Sequence, residues 1–498
     1  MRPLRPTPER LRAGLALAAA TLAVRLPFLT PGYGVDSDAW GLARAARTIG
    51  TTGRYAASRF PGNPLQEWLS APFWWGGPLA LNGLTALMSV LCTLLTYRLL
   101  LRTGVRDAWL GAFAFAMVPT VFLSSVCAID YLWALAFILL AFDRALGGSA
   151  ALAGLFLGVA TGGRITSIAL LLPLLVVLGA PARPRRLSRL ALASAIAVAV
   201  GAAFYVPNYL HYGFGFLSYY EPHQATHSAV EFLAGMFRPG PPSIPLVFVL
   251  GQATVLVFGI VGTAGLAAAV AIAAGARLFG QRLEPELAGG LPRPVLVACG
   301  LSVLLVCALY LRLPHDEGYL IPALPFLMIL LASALPRAAF RTAAFALVIS
   351  PFLFGADLVP PKKGLVPLSR SAACLRRTIS GQQLVVDVLR GPVIQDHDKR
   401  VRAQMILDAA FPLFEALPDS SLLIAGTLAG PVFLRHWRDP EFADVVPLKV
   451  IEERIGAGKH VYYLPDLPER TMRIYGYDLT RTGATPLLPD APAPESRP

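Results

Sequence analysis

The chain has 498 residues, 55% hydrophobic and only 15% charged, with a formal net charge of +13. A soluble domain carries roughly 25% charged residues, so the composition excludes an ordinary soluble enzyme and places the chain in the polytopic membrane class. Nor is the charge a nucleic-acid signature: residues 1–356 hold 25 Lys+Arg against 13 Asp+Glu, residues 357–498 hold 18 against 17, and many arginines of the first part lie in short loops between apolar runs, as the positive-inside rule produces.

The N-terminal MRPLRPTPERLR is basic and precedes an apolar run with no clear cleavage site, which predicts an uncleaved first transmembrane helix rather than a signal peptide. Apolar runs of membrane-crossing length predict about eleven spans: 12–29, 79–101, 107–124, 126–144, 149–163, 165–180, 188–207, 246–275, 294–311, 318–335 and 338–355. The fifth and sixth are short and meet at Gly162, Gly163 and Arg164. With the N-terminus inside, every inside loop is basic: Arg102 and Arg106, Arg144, the run Arg183 to Arg189, Arg277 to Arg293, then Arg337 and Arg341. The outside loops, 30–78 and 208–245 above all, then hold most of the acids and histidines of residues 1–355, and everything after Gly355 lies outside.

Beyond residue 355 the charge balances and short apolar runs alternate, which predicts a small extracytoplasmic α/β domain over 356–485. Gln383–Leu389, Ser421–Gly426 and His460–Leu464 read as strands, and Ser369–Ile379 and Lys449–Ile455 as helices. The tail 486–498, rich in Pro and Ala, reads as disordered. The five cysteines, at 92, 127, 299, 307 and 374, show no pairing by spacing. Walker A, GxSxG and dinucleotide fingerprints are missing from the sequence.

Chemistry concentrates in the first outer loop. YGVDSDAWGLARAARTIGTTGRYAASRFPGNPLQEW, from Tyr33 to Trp68, is several times longer than a helix connection requires. It opens on Asp36 and Asp38 and carries arginines, ending in Arg59 and a Pro-Gly-Asn-Pro turn. Carboxylates at a membrane boundary are also easily solvated, so a wet loop end is the plainer reading of the two aspartates. Arg164, between two apolar runs, reads either as functional or as snorkelling to the interface. The segment RLPHDEGYLIPALPF groups Arg312, His315 and Tyr319, with Asp316 and Glu317 placed where they could simply start a helix. In loop 208–245, His223, His227 and Glu231 recur at i, i+4, i+8 beside Glu221. They could ligate a divalent metal, but the run also fits an amphipathic interfacial helix or a cover over the site. Tyr205, Tyr209, Tyr212, Tyr219 and Tyr220 read as an interfacial aromatic belt. Asp130, in AIDYLW, reads as a helix cap ahead of a polar group of the site.

Asp36, Trp40 four residues on, Ala43–Ala46, Gly53-Arg54-Tyr55 and Pro61-Gly62-Asn63-Pro64, with the long first outer loop and about eleven helices, resemble the GT-C glycosyltransferases. The likeness is to their protein O-mannosyltransferase and aminoarabinose-transferase branch, and it covers most of residues 12–355. Where the common family form has Asp-Glu, this chain has Asp-Ser-Asp, and the position of Trp40 favours Asp36 as the counterpart.

The resemblance implies an inverting transfer of a sugar from a polyprenyl-phosphate donor to a glycan, lipid or protein acceptor, on the outer face of a bacterial inner membrane. It implies Asp36 or Asp38 as general base, with a possible divalent metal (Mg or Mn) between them. Arg59, Arg164, Arg312, His315 and Tyr319 would hold the donor phosphate, and Trp40, Glu221 and His223 would make acceptor or loop contacts. Two other readings compete. A transporter of lipid-linked sugars should show paired interrupted helices, and none is legible. A non-catalytic scaffold of the same fold would splay these polar groups apart.

Overall fold

The computed structural model describes residues 7–180, 186–217, 246–281, 283–287, 290–312, 316–359, 373–379, 382–418, 421–424, 441–443, 446–464, 472 and 476–487. Among them, six helical runs are long and apolar enough to cross a membrane: Pro8–Phe28, Pro64–Thr103, Arg186–Leu217, Ala253–Leu278, Arg293–Leu311 and Glu317–Ala334. A bent pair, α5 (Ala108–Met117) and α6 (Pro119–Ser125), makes a seventh. The four other expected spans are also helical but shorter. They are α7 (Tyr131–Gly147), α8 (Ala150–Gly163), the run Ile165–Leu178 ending in α9 (Leu171–Leu178), and α14 (Arg337–Ile349).

Local sequence explains most boundaries. The first helix, α1 (Pro8–Ala23), starts where the Thr7 hydroxyl accepts the Arg10 N–H at 3.3 Å and Pro8 takes the first helical position. It stops short of the expected Leu29 and gives way to a 3-10 turn (Leu26–Phe28) holding Pro27. At the α5–α6 junction Pro119 has no N–H to donate, Val118 is extended, and the axis turns by 66°. The buried Arg25 guanidinium takes up the slack, donating to Ala116 O (2.7 Å), Ser125 Oγ (2.7 Å) and Thr21 O (2.8 Å).

A second interruption lies beside the first. In α11 (Leu246–Leu278), Gly259 leaves helical geometry at φ 70°, ψ 172°. The Ser350 hydroxyl donates to Phe258 O (2.6 Å) and accepts from Gly262 N (3.1 Å) across the break. The Thr120 hydroxyl, at the start of α6, donates to Leu256 O at 3.3 Å. Two neighbouring helices are thus interrupted side by side, one at a proline and one at a glycine.

Glycines allow close helix packing of α8 on α10 (Arg186–Tyr212). Gly154, Gly158 and Gly162 form a stripe on α8, and a Cβ at Gly158 would lie 2.6 Å from Val200 Cβ. With no hydrophobic driving force between helices in lipid, this close approach maximises dispersion contacts. Tyr205 is buried at that interface and donates to Thr161 O at 3.0 Å. It is thus part of the bundle and not of an interfacial belt; Tyr209 is the exposed member, and Tyr219 and Tyr220 lie outside the described residues.

The long loop 30–78 is itself folded. It comprises α2 (Ser37–Thr52), α3 (Pro64–Ser70) and a 3-10 turn (Ala71–Gly76) leading into α4 (Gly77–Thr103). The small apolar face of α2, with Ala39, Leu42, Ala43 and Ala46, packs on Leu81 of α4 and on Ala128.

After residue 355 come a three-stranded antiparallel sheet, β1 (Gly355–Val359), β3 (Gln382–Asp387) and β2 (Cys374–Ile379), and a parallel one, β5 (Glu441–Ala443), β4 (Leu422–Ile424), β6 (Val461–Tyr463) and β7 (Thr485–Pro486). The strands read around 383–389, 421–426 and 460–464 are present, and so is the helix read at 449–455, as α16 (Leu448–Gly456). The helix read over 369–379 is not: residues 374–379 pair along their length with β3, whose ladder outweighs local preference. A helix that periodicity did not reveal, α15 (Pro392–Glu415), docks on the membrane bundle. Its Val393 joins the cluster of Leu29, Phe122 and Val126, and Arg400 donates to Phe28 O (3.0 Å) and Val126 O (3.2 Å).

Candidate active site

The site grows from Asp130, the residue before α7. Its backbone is in the helical region and its side chain makes no capping bond, so the cap expected there is not what it does. Only 2% exposed, the carboxylate instead meets two cations from distant parts of the chain: Oδ1 takes Arg59 Nη2 at 3.1 Å, and Oδ2 takes Arg164 Nη1 at 2.6 Å. Arg59 also pairs with Asp38. With its amide nitrogen facing the acceptors, Asn63 donates to Asp130 Oδ2 at 3.2 Å and to Gly163 O at 3.0 Å. Asp38, Arg59, Asp130 and Arg164 therefore form one continuous chain of charge, linking the long loop 30–78 to the ends of α7 and α8.

Arg164 follows the α8 glycines and is 7% exposed, so it does not snorkel. Its guanidinium lies 4.2 Å from the Tyr131 ring centroid and 4.8 Å from that of Tyr319, a cation–π clamp on a buried charge. Tyr131 donates its hydroxyl to Asp316 Oδ2, and Asp316 Oδ1 accepts Gly318 N at 2.7 Å, capping the 3-10 turn Glu317–Ala323. That turn presents Tyr319. Glycine at 318 lets it lie flat on Tyr131, since a Cβ there would sit 2.6 Å from the ring Cζ.

Asp36 is exposed and caps α2, Oδ1 accepting Asp38 N at 2.9 Å. Trp40 is buried and binds the loop together: Nε1 donates to Gly34 O at 2.8 Å, and the ring stands edge-on to Tyr33 at 5.0 Å. Arg312 ends α12 (Arg293–Arg312), and its side chain lies outside the description. His315, Glu221, His223, His227 and Glu231 lie outside the described residues. Among the described residues no group of three His, Cys, Asp or Glu side chains is placed to hold a metal; Asp36 is engaged as a cap and Asp38 by Arg59.

Sequence reasoning missed the floor of the loop. Glu67, on the first turn of α3 and fully buried, accepts Ser58 N (2.7 Å), Ser58 Oγ (2.6 Å) and the Tyr55 hydroxyl. Burial, then the neighbouring Glu67 charge, hold the Tyr55 phenol above its usual range, so it remains a donor. Asn208 of α10 donates to Pro61 O at 2.6 Å and closes the far side of the turn. A carboxylate three residues into a proline-started helix was the available signal.

Two solved structures share this architecture over nearly their whole length. ArnT from Cupriavidus metallidurans in the apo state is 14% identical, with 94% of this chain and 95% of that chain covered at a TM-score of 0.54. ArnT from Cupriavidus metallidurans bound to undecaprenyl phosphate is 13% identical, with 95% and 89% covered at a TM-score of 0.54. No protein-family model matches the sequence, and no curated protein matches it. The chain has the GT-C fold of ArnT and is an integral membrane protein.

Proposed function

We propose that this protein is a membrane glycosyltransferase that moves a sugar from a polyprenyl-phosphate-linked donor to an acceptor, at the membrane face where Asp38, Arg59, Asp130 and Arg164 converge. The observation that carries the reading is this convergence, two arginines and two aspartates from three separated segments, within the fold of a protein solved with undecaprenyl phosphate. In a single inverting displacement the acceptor oxygen or nitrogen attacks the anomeric carbon while the bond from that carbon to the phosphate oxygen breaks. The electron pair leaves with the polyprenyl phosphate, and Arg59 and Arg164 stabilise its charge, with Arg312 and His315 as further candidates. The acceptor's proton passes to a carboxylate of the loop, Asp36 or Asp38. Asp130 holds both arginines at one height before the donor arrives. The face is the outer side of a bacterial inner membrane, and the acceptor a glycan, lipid or protein. The test is transfer by purified Asp36→Asn and Asp38→Asn from candidate polyprenyl-phosphate sugars: loss of a general base costs about 10²- to 10⁴-fold, and two variants at the wild-type rate reject the base.

A second reading, transport of a lipid-linked sugar, draws on the neighbouring interruptions at Val118–Pro119 and Gly259, since transporters place broken helices around their substrate. Proteoliposomes separate the two. Donor translocation without any transfer product selects the transporter, and neither activity selects a scaffold.

A further inference from the structure

We infer that Glu67 is a positioning residue that sets Arg59 in the site by clamping the segment 55–58 against α3. The inference deepens the reading of Arg59 as a phosphate-holding group and rests on it. Three observations converge. Glu67 is fully buried, and it gathers Ser58 through both N–H and hydroxyl and Tyr55 through its phenol, with the Asn63 backbone N–H beside them. Ser58 immediately precedes Arg59, so bonds at 2.7 and 2.6 Å fix the peptide from which the guanidinium is aimed at Asp38 and Asp130. The other flank of the turn is held in addition by Asn208 on Pro61 O and by the Asn63 side chain on Asp130 and Gly163 O. Arg59 thus hangs between two anchored points, and Glu67 supplies the one on its N-terminal side. A buried carboxylate is costly unless its acceptors are satisfied. Here hydroxyl and amide donors satisfy it, and Arg59 remains directed to Asp38 and Asp130.

The experiment compares the wild-type protein with Glu67→Ala, Glu67→Gln and Arg59→Ala in detergent, by hydrogen–deuterium exchange of the 55–64 backbone and by binding of undecaprenyl phosphate alone. The expected result for Glu67→Ala is faster exchange confined to 55–64 and binding weakened by about tenfold, the loss from a charge-assisted hydrogen bond. Glu67→Gln, which keeps one acceptor oxygen, restores most of both. Should Glu67→Ala fail to fold, Ser58→Ala removes one donor and gives a smaller rise in the same peptide. Unchanged exchange at 55–64 in Glu67→Ala overturns the inference, and so does faster exchange with unchanged binding while Arg59→Ala binds more weakly. If Arg59→Ala binds like wild type while Glu67→Ala exchanges faster, the clamp stands, and it is the phosphate role of Arg59 that fails.

Discussion

Clusters of aspartate and arginine occupy both ends of α7, about 20 Å apart by its helical rise, yet they are built differently. Asp143, in the last turn, is buried among Arg98 (2.7 Å), Arg102 (2.8 Å) and Arg144 (3.8 Å), the first two from one helix and the third its chain neighbour. At the same end Asp107 accepts two nitrogens each from Arg337 and Arg341, and Glu286 accepts Asp107 N at 2.6 Å. These are staples between helix ends, in which one carboxylate gathers two or three cations. At the Asp130 end two arginines share the carboxylate, Arg59 reaches on to a second one, Asp38, and aromatic rings face Arg164. The same residue types thus make closed staples at one end and a longer, aromatic-lined network at the other. What separates them is the second carboxylate that Arg59 reaches and the aromatic rings that face Arg164.

The largest expected effect tests that separation directly. Asp130→Asn or Arg164→Gln should lower transfer about 10²- to 10³-fold, the scale of losing one preorganised charge-stabilising group, in protein that still purifies as a monodisperse bundle. Asp143→Asn should do the reverse. It leaves its arginines without a counter-charge and should cost about 1–3 kcal/mol of stability, measured as thermal unfolding in detergent. Turnover per folded molecule should stay within about threefold, since the site lies some 20 Å away; a turnover loss as large as that of Asp130→Asn would erase the contrast. The smallest effect concerns pH. Hydrogen bonds from Arg337 and Arg341 hold the Asp107 carboxyl well below its usual range. A depressed carboxylate contributes stability that is present above its unfolded value near 3.9 and is lost as pH falls through the folded value. Melting temperatures between pH 5 and 3 should therefore fall more steeply for wild type than for Asp107→Asn; parallel slopes would count against the staple.

Much of the fold was legible, because membrane-length apolar runs and arginine-bearing loops are local signals. Asp38 and Arg59 are legible as members of an overlong loop and Arg164 as a charge between apolar runs, and all three join one network through Asp130. Asp130 did not stand out, because its position before α7 offered a complete local explanation and its real partners are remote. Glu67 was hidden in the same way, inside a short helix whose donors lie nine and twelve residues upstream. The two helix breaks show the converse. Pro119 and Gly259 are plain in the sequence, but only packing reveals that they adjoin and that Arg25 and Ser350 hold them. Strand β2 was misread because its residues 374–379 take their conformation from pairing with β3 rather than from their own pattern.

Arg400 has a further consequence, for the order in which the protein is made. Its bond to Phe28 O spans 372 residues, joining a late-synthesised helix to the turn that follows α1. Until α15 emerges, the carbonyls of Phe28 and Val126 lack the donor that the finished protein gives them. A nascent chain released before residue 400 would leave the mouth of the first helix unsealed beside the loop that carries Asp130. Arg400 thus ties the last fifth of the polypeptide to the backbone four residues before Asp130.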